Sequence, residues 1–202
     1  MSQIDDERML TAYHEAGHIA ISYYFGFSIK KSELIFRDDD PDFFDSKNSK
    51  DNWIGETPIK FGAYMNYATA LMDGDKRTVE SFDHQEPERF ELFVPKFALI
   101  MAAGWYGEIL YLTECKSKSP SDVPQEMDDG PDRDVLSFIY TLNSECKTYV
   151  DTFCPKMLDL HKEQIKAIAS ALYEKKELSS NKIETIISEN PMTPPTEELL
   201  SL

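Results

Sequence analysis

The chain has 202 residues, of which 41% are hydrophobic and 12% aromatic, enough for one domain with a substantial core. Its net charge of −16 argues against nucleic-acid binding, which needs clustered Lys and Arg, and against docking on an anionic membrane. The three cysteines form no Cys-x-x-Cys pair and the N-terminus is acidic where a signal peptide is basic, so we expect a cytoplasmic protein.

The first predicted element is a helix from about Asp5 or Asp6 to Phe25, and it carries the segment "HEAGH". His14 and His18 are four residues apart, which places both side chains on one helix face, and Glu15 lies beside them. This H-E-x-x-H pattern is typical of two zinc ligands and a general base. Chance alone produces it in roughly one of two hundred chains of this length and composition, so the pattern favours a metal site.

The middle of the chain is predicted to contain both strands and a helix. The segments 31–37 and 52–61 have the composition of short strands, and an acidic loop lies between them. A helix is predicted over 63–72, and the polar stretch 73–88 is expected to be exposed, with His84 as a solvated loop residue. Apolar runs such as "FALIMAAGWYG" are predicted to be too short to span a bilayer.

The second half is predicted to be helical, and the fold class is therefore mainly α with a small β-hairpin or short sheet. A helix over 88–113 contains Pro95 and small residues that would let another helix approach closely. Further helices are predicted from Pro131 or Asp132 to Phe153, over 156–176 and over 179–189. We expect one domain over 1–190 and a flexible tail over 191–202.

A catalytic zinc ion needs a third protein ligand. His161 lies on a polar helix face and is a poor candidate, whereas Glu108 in "GEILY" is a better one. The best candidate is an acid in "DDGPDRDVLSF", where Asp132 and Asp134 are equally suitable on chemistry alone. Both also match helix-start carboxylates that interact with the macrodipole.

Five segments together resemble the peptidase domain of FtsH-type membrane AAA proteases, which are zinc metallopeptidases. In chain order they are "TAYHEAGHIAI", "NWIGETPIKF", "LIMAAGWYGEILY", "GPDRDV" and "AIASALYEKKELSSNKI". The resemblance implies an FtsH-peptidase-like helical bundle, Zn²⁺ bound by His14 and His18, and Glu15 as the general base. The family's Gly-x-x-x-Asp register implies Asp134, rather than Asp132, as the third ligand.

The resemblance implies a zinc-dependent endopeptidase that cleaves unfolded or flexible polypeptides, which would add as a strand along the edge near Trp53–Phe61. The sequence contains no P-loop pattern, so we expect a standalone version without the ATPase module, with a homo-oligomer or an ATPase in trans as candidate partners. One alternative is a catalytically weak or inactive binding module, which the long segments 37–51 and 62–90 favour. Another is a zinc hydrolase with a non-peptide substrate.

Overall fold

The structure is a computed structural model that describes residues 2–39, 52–119, 121–124, 130–191 and residue 193, without the side chains of residues 88–90. It is 71% helical with a small antiparallel sheet, which confirms the predicted fold class. The helices are α1 (Gln3–Tyr24), α2 (Met65–Met72), α3 (Lys76–Gln85), α4 (Pro87–Leu110), α5 (Pro131–Leu142), α6 (Glu145–Leu160), α7 (Lys162–Lys175) and α8 (Ser180–Glu189). The strands are β1 (Ser28–Ile29), β2 (Lys31–Phe36), β3 (Trp53–Glu56), β4 (Ile59–Lys60) and β5 (Glu177–Ser179).

Helix α1 is the centre of the molecule and packs against both α4 and α7. Its apolar stripe is fully buried, because Ala12, Ala16, Ile19 and Ala20 are all 0% exposed. The predicted start near Asp5 is displaced to Gln3, since the Ser2 hydroxyl and the Asp5 carboxylate form a capping box. The helix that carries the "HEAGH" segment is therefore held rigidly inside the core.

The strands form two small antiparallel sheets. Strand β2 lies in the middle of a three-stranded sheet in the order β3-β2-β5, and β1 pairs with β4. In the larger sheet Ile35 is paired with Ile54, and Ser32 is paired with Leu178. Because β5 leads directly into α8, this sheet ties the C-terminal helices to the strand that runs beside α1.

Most of the described residues in 73–88 are exposed, as predicted, but His84 does not lie in a loop, because α3 forms there. The Asp75 carboxylate accepts a hydrogen bond from the Thr78 amide at 3.2 Å and caps the helix start. Val79 is 1% exposed and anchors one face in the core, while His84 is exposed as expected. Together with α2, this helix accounts for much of the long segment 62–90.

The helix boundaries in the second half also differ from the prediction. The predicted helix from Pro131 to Phe153 is two helices, because Asn143 leaves the helical conformation and its side chain accepts the Glu145 amide at 3.0 Å. Pro131 begins α5 as predicted, whereas Pro95, where a kink or a later helix start was predicted, lies inside the continuous helix α4. Pro155 likewise lies inside α6.

Helix α4 continues through a π-helical turn, Tyr111–Cys115, so the apolar stretch is longer than expected. The helical segment Glu91–Cys115 is long and apolar enough, by length and composition, to cross a membrane. Of its apolar window 56% is buried inside the protein, and core helices of soluble proteins have the same properties. The prediction that every apolar run is too short to span a bilayer was therefore wrong, because this helical segment is long enough.

Two predicted segments lie mostly outside the described residues. These are the acidic loop between β2 and β3, of which the structure describes only the two ends, and the tail 191–202, of which it describes only residues 191 and 193.

Candidate metal centre

Three side chains from two helices converge at one point. His14 and His18 come from successive turns of α1, and their Nε2 atoms are 3.0 Å apart. The Asp132 carboxylate, from the first turn of α5, places its Oδ2 atom 3.2 Å from the Nε2 of His14 and 2.9 Å from that of His18. The three atoms form a nearly equilateral triangle that could hold a metal ion.

The other nitrogen of each imidazole ring is held by an acceptor. The Nδ1 of His14 is 2.6 Å from the Glu108 carboxylate, and the Nδ1 of His18 is 2.7 Å from the backbone carbonyl of Ile100. Both acceptors belong to α4. An acceptor at Nδ1 fixes the tautomer with its lone pair on Nε2, which is how metal-ligating histidines are usually oriented. Both lone pairs therefore point at the space beside Asp132.

The donor set fits zinc. Two imidazole nitrogens and one carboxylate oxygen are ligands that Zn²⁺ accepts in catalytic sites, which keep a fourth position for water or substrate. Bonds of 2.0–2.1 Å in a tetrahedral arrangement separate two ligand atoms by roughly 3.3 Å. The observed separations of 2.9 to 3.2 Å are close to this value, so only small side-chain movements would be needed.

Asp132 attracts both histidines, which repel each other. Burial alone would lower the pKa of His14, but the carboxylates of Asp132 and Glu108 raise it well above its usual range. Burial likewise opposes the raised pKa of His18, which is due chiefly to Asp132. Burial would raise the pKa of Asp132, yet the two histidines hold it well below its usual range. A metal ion that binds here competes with protons for the same ring nitrogens.

Glycine residues allow α1 and α4 to approach closely and leave space for the histidine rings. A Cβ atom at Gly104 would lie 2.5 Å from the Nε2 of His14 and 2.6 Å from that of His18. At Gly17 it would lie 2.1 Å from the carbonyl oxygen of Ala103, and at Gly107 it would lie 2.3 Å from that of Tyr13. The predicted close approach at the small residues of α4 is confirmed, and the partner is α1.

Glu15 is next to the trio and is 4% exposed. Its negative charge contributes to the raised pKa of His18. The side chain lies against β3, because a Cβ atom at Gly55 would be 2.1 Å from Glu15 Oε1. The general-base candidate is therefore covered by β3, which belongs to the segment that the resemblance implies is on the substrate side.

The third member of the cluster is Asp132, whereas the resemblance implied Asp134. Asp132 is turned toward α1. Residues two positions apart on a helix point to nearly opposite sides, so Asp134 is exposed. Glu108 contacts the outer nitrogen of His14 instead of joining the triangle. His161 is 2% exposed rather than on a polar surface, and it packs against the ring of Tyr24.

Three parts of the site were not predicted: the Ile100 carbonyl, the space left by Gly104 and the contact between Gly55 and Glu15. One signal was present in the sequence. Gly104 and Glu108 are four residues apart and so share a helix face, as His14 and His18 do. Backbone acceptors such as the Ile100 carbonyl leave no trace in residue type.

No protein-family model matches the chain, and no curated protein matches it either. The resemblance to FtsH-type proteases therefore depends on the quoted motifs alone.

Proposed function

We propose that the protein is a zinc-dependent endopeptidase that acts on flexible or unfolded polypeptides. The observation that carries the proposal is the convergence of the His14 and His18 Nε2 atoms on Asp132, with both Nδ1 atoms held by acceptors on α4. Histidines that bind a metal need an acceptor at Nδ1 to direct Nε2 toward the ion, whereas histidines on the surface do not. The neighbouring Glu15 supplies a general base, which a purely structural metal site does not need.

In this proposal His14, His18 and Asp132 hold the zinc ion, and Glu108 and the Ile100 carbonyl orient the two imidazoles. When bound, zinc would supply Lewis-acid chemistry, lowering the pKa of a water molecule toward neutrality and polarising the peptide carbonyl. The Glu15 carboxylate would accept a proton from the water as its oxygen bonds to the carbonyl carbon, and would return that proton to the amine nitrogen as the C–N bond breaks. Its contact with Gly55 fixes the carboxylate beside β3, where an extended polypeptide could pair.

The second candidate is a binding module that keeps the fold but cleaves slowly or not at all. The low exposure of Glu15 under Gly55 favours it, because a covered base is poorly accessible to water and substrate. Such a module would have a protein partner, for which an ATPase in trans is one candidate. A hydrolase with a small non-peptide substrate would also tolerate a narrow opening beside Glu15.

The variant Glu15→Gln tests the proposed function. Glutamine is nearly isosteric but cannot take a proton at neutral pH, so we expect cleavage of casein to fall by at least ~10²-fold while the zinc content stays unchanged. Glu80→Gln, an exposed change on α3, is the matched control and should cleave at the wild-type rate. Equal rates for wild type and Glu15→Gln would remove Glu15 as the base. Zinc binding by a wild-type protein that cleaves nothing would favour the binding module.

A further inference from the structure

The first turns of α1 are fastened to the beginning of β3. The Glu7 carboxylate accepts hydrogen bonds from the backbone amides of Asn52 and Trp53, the latter at 2.9 Å, and from the Asn52 side-chain amide at 2.8 Å. The Arg8 guanidinium lies between two aromatic rings, 4.9 Å from the centroid of Trp53 and 4.6 Å from that of Tyr173 on α7. Strand β3 is thus attached to α1 at Trp53 and again at Gly55.

The hydrogen bonding of the sheet shows which edge Glu7 occupies. The amide of Leu34 donates to the carbonyl of Lys176 at 2.7 Å, so Leu34 faces β5, and the next residue, Ile35, faces β3. Ile54, the partner of Ile35, therefore directs its backbone groups toward β2. Its neighbours Trp53 and Gly55 direct theirs to the outer edge, which has no strand partner among the described residues.

From this geometry we propose that Glu7 is a positioning residue that closes the outer edge of β3 at Trp53. Its carboxylate already accepts the first outward amide, so an extended chain can begin to pair only at Gly55. Occupying an edge amide is a recognised way to end strand pairing. Because Gly55 lies against Glu15, the occupied amide of Trp53 fixes the register of a bound polypeptide relative to the general base.

The inference rests on the proposed function for its catalytic consequence, but not for the contact itself. Outward amides recur every two residues along a strand. If Glu7 no longer occupies the Trp53 amide, a polypeptide gains a second pairing register that is displaced by two residues. The Glu7 side chain would then influence substrate binding and the choice of cleaved bond, although it does not touch the reacting atoms.

The experiment compares Glu7→Ala and Glu7→Gln in the full chain. Alanine removes every acceptor, whereas glutamine keeps one oxygen for the two backbone amides, with the Asn52 side-chain amide free to flip. Asp6→Ala is the matched control, because Asp6 is in the same helical turn but pairs with Lys116. The readouts are hydrogen exchange at the Asn52 and Trp53 amides, zinc content, and KM, kcat and cleavage positions on an unstructured peptide.

We expect Glu7→Ala to lose exchange protection at both amides and to keep its zinc. Its kcat/KM should fall roughly ten- to a hundredfold, mainly through KM, and new products should be displaced by two residues. Glu7→Gln should restore most of each property. Unchanged protection, or unchanged KM and products in an active enzyme, would overturn the inference. If wild type cleaves nothing, the proposed function fails, whereas exchange at the two amides still decides whether Glu7 closes the edge.

Discussion

At the scale of single residues, the candidate site depends on the direction in which each side chain points. The spacing of His14 and His18 predicts that they share a face because both belong to one helix, and the structure places them together. Asp132 and Asp134 belong to a different helix, so their directions relative to α1 depend on how α5 docks. No local pattern encodes that docking, and the family register therefore selected the residue that the structure leaves exposed.

We predict that Asp132→Ala loses zinc and Asp134→Ala retains it. Asp132 is within 3.2 Å of both Nε2 atoms, and its removal should weaken zinc binding by more than the roughly 10–100-fold typical of outer-shell partners. Asp134 contributes at most a helix-start interaction of about 0.3–1 kcal/mol. Metal analysis after dialysis against a weak chelator measures the difference. A greater loss of zinc from Asp134→Ala would restore the register of the FtsH-type motif.

At the scale of elements, the site depends on how closely α4 approaches α1. The prediction that small residues allow such contact was confirmed. Glycine costs stability in a helix interior, and here it allows the two helices to pack closely.

Proline was a less reliable indicator of where a helix begins or kinks. Pro95 lies in a helix whose Phe93 and Phe97 are 2% and 0% exposed. Burying two such rings contributes about 3–6 kcal/mol, which offsets the ~3 kcal/mol cost of an internal proline.

We predict that Gly17→Ala and Gly104→Ala separate packing from metal binding. Alanine at position 17 meets the Ala103 backbone, so overpacking of about 1–3 kcal/mol should outweigh its better helix propensity of about 0.8–1.0 kcal/mol. Alanine at position 104 meets the two histidine rings and should weaken zinc binding more than Gly17→Ala does. Denaturant unfolding of the metal-free proteins and zinc titration measure the two effects. Equal zinc affinities in the two variants would mean that Gly104 does not make room for the rings.

At the scale of the whole molecule, one buried helix organises both the core and the site. The fold class was predictable because long periodic segments dominate the chain, and 71% of the structure is helical. The break at Asn143 and the helix over Lys76–Gln85 were not predicted, since both depend on single side chains that bond to nearby amides. The contact of Glu7 with the start of β3 was also not predicted, because Glu7 and Trp53 are far apart in sequence.

The proposed function predicts that the chain cleaves flexible polypeptides without ATP. The sequence contains no P-loop pattern, so the prediction is that ATP does not change the rate. Glu15 is 4% exposed and lies against β3, so in the proposed function a substrate would have to pair along that strand as an extended segment. A stable domain exposes such a segment by local opening, which costs up to its full stability of ~5–15 kcal/mol.

We expect the purified protein to cleave a destabilised, mostly unfolded variant of a domain and to spare the stable parent. The cleavage rates should be identical with and without ATP. Removal of zinc with a chelator should stop the cleavage. Rapid degradation of the stable parent by the chain alone would contradict this prediction.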